Sequence, residues 1–350
     1  MAFITHVGTA LPRHAIEQGA VASVVAKTLG LDADRTASVQ ALFERTRVRG
    51  RHSVVPLEHI GAPRSLTEGM ALYRRHGLEL ALAAARSCLE QAALAPGDVD
   101  LVITSSCTGV SLPSLAALLV EPLGLRNDVR RLPLTELGCA GGAGALAQAH
   151  AHLRAFPQAR VLVVAVELPS LTFRRDDPSA ENIVASALFG DGAAAVLLEA
   201  SPAAAGIEIL ATHTGLLPAS LDDMGFDLRD SGFYVVLSKN VPRIIAESTP
   251  RVVREFLARH ALALEDLAFF VLHPGGRRVL EALESSLALK PGQTAASWDV
   301  LSDYGNQSSA SVLFVLRETL GRGVPRGYGL LAAFGPGITV ELALLQGHPC

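Results

Sequence analysis

Cys139 stands in a Gly- and Ala-rich stretch, TELGCAGGAGALAQAHAHL over 135–153, directly ahead of an apolar helix. A thiolate is a strong nucleophile and the positive end of a helix favours it, so this setting is expected to lower the thiol pKa. The same residue type also serves as a small buried hydrophobe, and Cys88, Cys107 and Cys350 take that reading. His273 ends the apolar run Phe269–Leu272 and is followed by Pro274, Gly275 and Gly276, which puts an imidazole at the end of a buried strand where the chain turns. In α/β proteins, strand ends are where sites form. Asn306, between Gly305 and Gln307 at the start of a second small-residue helix, is either a plain N-cap or a neutral donor. Together the three supply a nucleophile, an acid/base and an amide that can stabilise a developing oxyanion. A papain-like hydrolase uses the same three types, but its local signature is absent.

Basic residues recur at alternate positions, Arg45, Arg47, Arg49 and Arg51, and are expected on one face of an extended segment. Such a row either binds phosphates by charge-assisted hydrogen bonds or is a charged edge that discourages strand pairing. Both readings stay open, as they do for Arg277 and Arg278 after the His-Pro-Gly-Gly turn. The remaining histidines, such as His6, His76, His150 and His260, sit in mixed polar surroundings and are expected at the surface. None has metal-ligand spacing with a cysteine or carboxylate, so no metal is expected.

The elements that must position these residues occur twice. Short apolar runs alternate with helical stretches, the pattern of an α/β protein. Leu101–Ser106, the Cys139 helix, RVLVVAVE (160–167) and GAAAVLLE (192–199) form one set. FFVLHPGG (269–276), SDYGNQSSASVLFVLRETL (302–320), GYGLLAAFGPG (327–337) and ITVELALL (338–345) form the other. Laid together, they place Gly138-Cys139-Ala140 over Gly305-Asn306-Gln307. Two such units stacked helix to helix bring both helix N-termini to a pocket between the halves, although small residues there also serve close packing alone. The expected division is 1–205, carrying the cysteine, and 206–350, carrying the histidine and asparagine. No low-complexity linker separates them, so one continuous core is expected.

With 350 residues, 49% hydrophobic and 18% charged, the chain is long and apolar enough for a large core, which excludes disordered and fibrous classes. A net charge of -4 provides no field for nucleic acid. Four cysteines without close pairing, and an N-terminus without the order of a signal peptide, point to the cytoplasm and reduced thiols. The charge-poor window Tyr328–Gln346 is cut by Gly335-Pro336-Gly337 into pieces too short for a bilayer of about 30 Å, so no membrane insertion is expected. It is expected to be a buried hairpin.

Eight stretches carry a resemblance: SSCTGVSLPS (105–114), LGCAGGA (137–143), ELPSLTFR (167–174), ALFGDGAAA (187–195), SKNVP (238–242), LHPGG (272–276), YGNQSSASVLF (304–314) and FGPGITVE (334–341). In this order, over roughly Phe43 to Leu345, they resemble the type III polyketide synthases, relatives of chalcone synthase in the thiolase superfamily. The resemblance implies a thiolase-like five-layered αβαβα fold made of two duplicated halves, and a homodimer. It implies iterative decarboxylative Claisen condensation of malonyl-CoA onto an acyl-CoA starter, then cyclisation to a pyrone or phenolic product. Coenzyme A thioesters are the substrates, and no further cofactor is implied.

By motif, the resemblance makes Cys139 the acyl-accepting nucleophile, His273 and Asn306 its partners, and Phe189 an aromatic gate. Phe334 and its Gly-Pro-Gly neighbours would shape the cavity, and Leu112 would reach into the neighbouring subunit's cavity. Thr172 and Ser308 match cavity-lining types, while Arg45, with Gly275 and Gly276, would contact CoA. Departures fall at Val235, where plant enzymes carry a second gate phenylalanine, Phe226 for a glycine, Ala333 for a glycine and Cys107 for a threonine. Val235 leaves room for an aliphatic starter and Phe226 takes space back. Two alternatives stand beside this reading. One is a ketoacyl synthase that starts fatty-acid synthesis from malonyl-carrier protein; the other is a catalytically silent acyl-binding subunit.

Overall fold

The computed structural model describes residues 1–200 and 206–349. Cys350, and the 201–205 side of the expected division, lie outside the described residues. In chain order the strands are β1 (Phe3–Ala10), β2 (His14–Glu17), β3 (Gly50–Ser53), β4 (Leu101–Ser105), β5 (Arg130–Leu134), β6 (Val161–Glu167) and β7 (Gly192–Glu199). Then come β8 (Gly206–Leu216), β9 (Met224–Arg229), β10 (Gly232–Leu237), β11 (Leu267–Leu272), β12 (Gly327–Gly335) and β13 (Thr339–His348). Nine of them form one sheet, in the order β11-β12-β13-β8-β1-β7-β6-β4-β5. The β1/β8 pair joins two half-sheets of like plan. Outward from it, β1, β7, β6 and β4 pair antiparallel, antiparallel, parallel. β8, β13, β12 and β11 do the same.

Strict alternation along the strands explains the layers. Ile103, Val163, Ala165, Val196, Val271, Leu331 and Ala343 all face one central cluster, which also takes the helices Gly141–Ala155 and Ser311–Gly321. Their neighbours Val102, Leu162, Val164 and Leu197 face the long helix Leu66–Gln91 instead. Phe270, Leu272, Leu330 and Leu344 turn outward in the other half, toward the helices Val241–Ala258 and Arg277–Ser286. With both faces covered, the inner strands are largely apolar, and the five layers run α, β, α, β, α. The window Tyr328–Gln346 is the expected hairpin, β12 against β13.

Two expectations fail. Arg45 ends the helix Ala33–Arg45, Arg47 takes a left-handed backbone (φ 64), and only Arg51 belongs to a strand, so the four arginines share no face. Arg45, Arg47 and Arg49 are exposed and Arg51 is buried. His150 is also buried, because it sits beside Leu146 and Leu153 on the core side of its helix.

Between the central helices the backbones nearly touch. A Cβ on Gly142 would lie 2.2 Å from the Ser309 carbonyl oxygen, and one on Gly141 3.2 Å from Ser309 Cβ. Glycine is what permits this approach of the two halves. Glu341, in β13, is buried in the same assembly, and Thr214 Oγ1 donates to it at 2.9 Å. Burial pushes its carboxyl up to about 7, from an ordinary 4.5. The folded chain therefore holds a proton that the unfolded chain has released within that window, and stability falls as pH rises through it. Denaturant melts of Glu341→Gln across the window are expected to lose this slope; an unchanged slope would place the proton elsewhere.

Candidate active site

After β5 the chain turns through Gly138, whose φ is 49, into a short turn of 3-10 helix, Gly138–Ala140, that leads into Gly141–Ala155. A Cβ on Gly138 would meet Pro336 Cδ at 2.5 Å, so glycine is required both for the left-handed turn and for the contact. Cys139 is thereby set at the seam between the halves.

From the other half, Asn306 Nδ2 donates to Cys139 Sγ at 3.9 Å and to the Gly275 carbonyl at 3.2 Å. The amide cannot be turned over. Ser308 N donates to Asn306 Oδ1 at 2.8 Å, and Ser311 Oγ donates to the same oxygen at 3.3 Å, so Nδ2 must face the sulfur. The backbone is fixed as well: Asn306 N donates to the Leu188 carbonyl at 2.8 Å, and Gly190 N donates to the Asn306 carbonyl at 3.0 Å.

His273 follows β11 and extends its pairing, with its N–H on the Ala332 carbonyl at 2.8 Å. A tight turn, Gly275 N onto His273 O at 2.9 Å, links it to the carbonyl that Asn306 holds. The ring is 1% exposed, and neither ring nitrogen has a hydrogen-bond partner among the described residues. Burial pushes the imidazole down to about 3, so it is neutral.

Burial also pushes the Cys139 thiol up to about 11, and hydrogen bonds from Ser308 and Asn306 offset only part of this. This direction runs against the expected lowering by the helix end: a dipole worth about 0.3–1 kcal/mol is set against the partial loss of water around a sulfur that lines the cavity wall. The thiol and imidazole rest as neutral groups.

Glu167 went unremarked in the sequence, although it lies within one of the eight stretches. It ends β6 fully buried and accepts from Thr108 Oγ1 at 2.8 Å, Ser309 Oγ at 2.5 Å and Cys107 N at 3.1 Å. It thus ties the 106–108 loop to the segment that carries Asn306. Nothing local in a lone Glu at a strand end signals such a junction. Burial of the Cys107 thiol, and then the Glu167 charge, hold that thiol well above its ordinary value.

A cavity of about 100 Å³ opens at Cys139, and Cys107, Thr172, Phe189, Phe226, Val235 and Ser308 all line it. Phe226 and Val235 pair across the β9–β10 hairpin, which forms one wall, and the Phe226 ring packs edge-on to Phe233 at 5.6 Å. Val21, Val25 and Ile60 close another side. Phe334 does not line the cavity. Strand alternation turns it to the outer face, where it joins the core of the second half, and Pro336 from the same loop lines the cavity in its place. Leu112 is 89% exposed and does not line this chain's own cavity.

A second cavity, of about 570 Å³, is lined by Arg45, Gly275 and Gly276, together with Lys239, Arg277 and Arg278. Leu237 lines both cavities. Four cations at this mouth face the two carboxylates Glu181 and Glu281, which leaves a net positive opening suited to phosphates.

Residues 1–202 match the family described as chalcone and stilbene synthases, N-terminal domain, and residues 208–349 match its C-terminal domain. The chain is 39% identical to the 1,3,6,8-tetrahydroxynaphthalene synthase of Streptomyces peucetius subsp. caesius, over 98% of this chain and 92% of that one. It is 34% identical to the phloroglucinol synthase of Pseudomonas fluorescens, over 95% of each. Its fold is similar to the crystal structure of the 1,3,6,8-tetrahydroxynaphthalene synthase of Streptomyces coelicolor, with a TM-score of 0.94, 31% identity, and coverage of 99% of this chain and 100% of that one.

Cys139 and Cys107 both line the cavity, but burial and the Glu167 charge hold the Cys107 thiol well above its ordinary value, and burial pushes the Cys88 thiol up to about 12. Iodoacetamide is expected to modify Cys139 before Cys107 and Cys88, at a rate that keeps climbing as pH rises through neutrality. Peptide mass spectrometry reads both features. Earlier labelling of Cys107, or a rate already level in mild acid, would contradict the neutral resting thiol.

Proposed function

We propose, for a chain that belongs to the chalcone and stilbene synthase family and is therefore a type III polyketide synthase, that Cys139 carries the growing chain while His273 and Asn306 activate malonyl-CoA. Enzymes of this kind take acyl-CoA and malonyl-CoA. The observation that carries the residue assignment is the locked Asn306 amide, which faces the Cys139 sulfur from the opposite half.

CoA phosphates meet Arg45, Arg277, Arg278 and Lys239 at the second cavity, and the thioester end passes Gly275 and Leu237 toward Cys139. The Cys139 sulfur then bonds to the starter's carbonyl carbon, its proton moves to His273, and the bond to the CoA sulfur breaks as that proton passes to the departing thiolate. Malonyl-CoA next occupies the same place. As it loses carbon dioxide, negative charge gathers on the thioester oxygen, where neutral His273, through its one N–H, and Asn306 Nδ2 donate. Each such donor is worth about 2.7–4 kcal/mol. The enolate carbon attacks the acyl group on Cys139, a carbon–carbon bond forms, and the thiolate is released for the next round. Decarboxylation supplies the carbanion, so the chemistry is complete with the two thioesters and we assign no further cofactor.

A cavity of about 100 Å³, with the Phe226 ring inside its wall, favours a short starter: a small aliphatic acyl group, or malonyl-CoA itself. The relatives named for tetrahydroxynaphthalene and phloroglucinol support a phenolic product. We take the active unit to be a homodimer, on the ground that Val110 and Leu112 stand exposed on the same loop that brings Cys107 and Thr108 to the cavity. No helix among the described residues is long and apolar enough to cross a membrane. Free thiols at Cys88, Cys107 and Cys139 and CoA substrates support a cytoplasmic setting.

Products are to be identified by mass after incubation with malonyl-CoA alone and with acetyl-, hexanoyl-, lauroyl- or coumaroyl-CoA. Short or malonyl starters are expected to give products grown by repeated two-carbon units, none in Cys139→Ala. Asn306→Ala is expected to retain acylation of Cys139 and to lose malonyl-CoA decarboxylation by about 100- to 1,000-fold, the usual scale for one oxyanion donor. A single condensation that demands malonyl-carrier protein would establish the ketoacyl synthase reading instead. Leu112→Asp is expected to shift sedimentation from dimer to monomer; an unchanged species would remove this loop from the interface.

A further inference from the structure

Among the buried charged groups that the mechanism does not use, Arg51 lies against the segment that fixes Asn306. Helix Ala180–Leu188 ends at Phe189, where its final carbonyls have no partners within the helix. Arg51, reaching from β3, supplies donors. Its Nη1 donates to the Ser186 and Phe189 carbonyls, each at 2.7 Å, and its Nη2 to the Ala187 carbonyl at 2.9 Å. The carbonyl left over in that run, Leu188, accepts from Asn306 N. Four consecutive carbonyls are thus divided between Arg51 and the residue assigned to stabilise the enolate.

Gln18 holds the guanidinium from behind. Its Oε1 accepts from Arg51 Nη2, while its Nε2 donates to the Ala187 carbonyl and Thr46 Oγ1, each at 2.9 Å. Gly190 completes the joint. A Cβ there would lie 2.9 Å from Arg51 Cβ and 2.5 Å from the Tyr304 carbonyl, so this segment fits between Arg51 and the Asn306 loop with no slack. Arg51 is 5% exposed and lines the cavity wall beside Phe189. An apolar side chain would fill such a space with less desolvation cost, but it could not bind three carbonyls at once.

We propose that Arg51 is a positioning residue for the decarboxylation step: its fork fixes the 186–190 turn, and through it the aim of Asn306 Nδ2 and the place of Phe189. The inference rests on the assignment of Asn306 to enolate stabilisation. Lys is the informative replacement, because a point charge on a flexible stem keeps the sign but lacks the rigid fork that holds these three carbonyls at once.

In the full-length protein, Arg51→Lys is expected to lower kcat for malonyl-CoA decarboxylation, read as carbon dioxide release without starter, by about a hundredfold, the cost of misplacing a group by roughly 1 Å. Acylation of Cys139, read by intact mass, is expected to fall far less. Gln18→Met removes only the support behind the guanidinium and is expected to give the same imbalance on a smaller scale; it decides the matter should Arg51→Lys not fold. Equal losses in both steps, or no loss in either, in folded variants would overturn the proposal. Asn306→Ala run alongside separates the two failures. If it too spares decarboxylation, the Asn306 assignment falls and takes this inference with it. If it alone shows the selective loss, only the role of Arg51 is refuted.

Discussion

The approach of the two central helices, close enough that no side chain fits between Gly142 and the Ser309 carbonyl, is the constraint on which the site depends. It places the turn bearing Cys139 against the loop bearing Asn306, although the two are far apart in sequence. Everything else at the seam adapts to that distance. Gly138 takes a left-handed turn under Pro336, and Glu167 collects donors from the 106–108 loop and from Ser309. Leu188 and Gly190, on either side of Phe189, share backbone hydrogen bonds with Asn306, which makes the Phe189 ring and the Asn306 amide parts of one joint.

Close packing carries an electrostatic cost that shapes the chemistry. Excluding water leaves Cys139 and His273 neutral, Arg51 charged among carbonyls, and Asp191, which Ser170 and Val54 hydrogen-bond, pushed up to about 6 by burial. Such an environment does not store a thiolate. It suits a reaction in which charge appears only as bonds change, because fixed donors act most strongly where little water competes. In this arrangement the helix end ahead of Cys139 assists the charge when it forms without creating it beforehand.

The shape of the cavity follows from strand alternation as much as from residue size. Ala333 faces the central layer and Phe334 the outer one, so the bulky ring is spent on the core of the second half and Pro336 meets the active-site cavity. Phe226 and Val235 stand opposite each other on a two-stranded hairpin outside the main sheet, where their sizes set the wall without disturbing the layers. The size of this wall is thereby set on β9 and β10, apart from the seam that holds Cys139 and Asn306.

Much of the scaffold was already legible in the chain. Apolar runs gave the strands, their repetition gave the paired halves, and the small residues before two helices marked where those halves meet. The types at Cys139, His273 and Asn306 already suggested a nucleophile, an acid/base and an amide donor, and the fold brings Asn306 against Cys139. What the tertiary structure decided was burial and company: Arg51 drawn inward out of an apparent row of surface charges, His150 turned to the core, Phe334 turned away from the cavity, and the Cys139 thiol held protonated. The physical reason is that periodicity is a local property carried by neighbouring residues. Desolvation and hydrogen-bond geometry are instead sums over groups from β3, β6, β11 and the loops between, which come together only when the chain has folded.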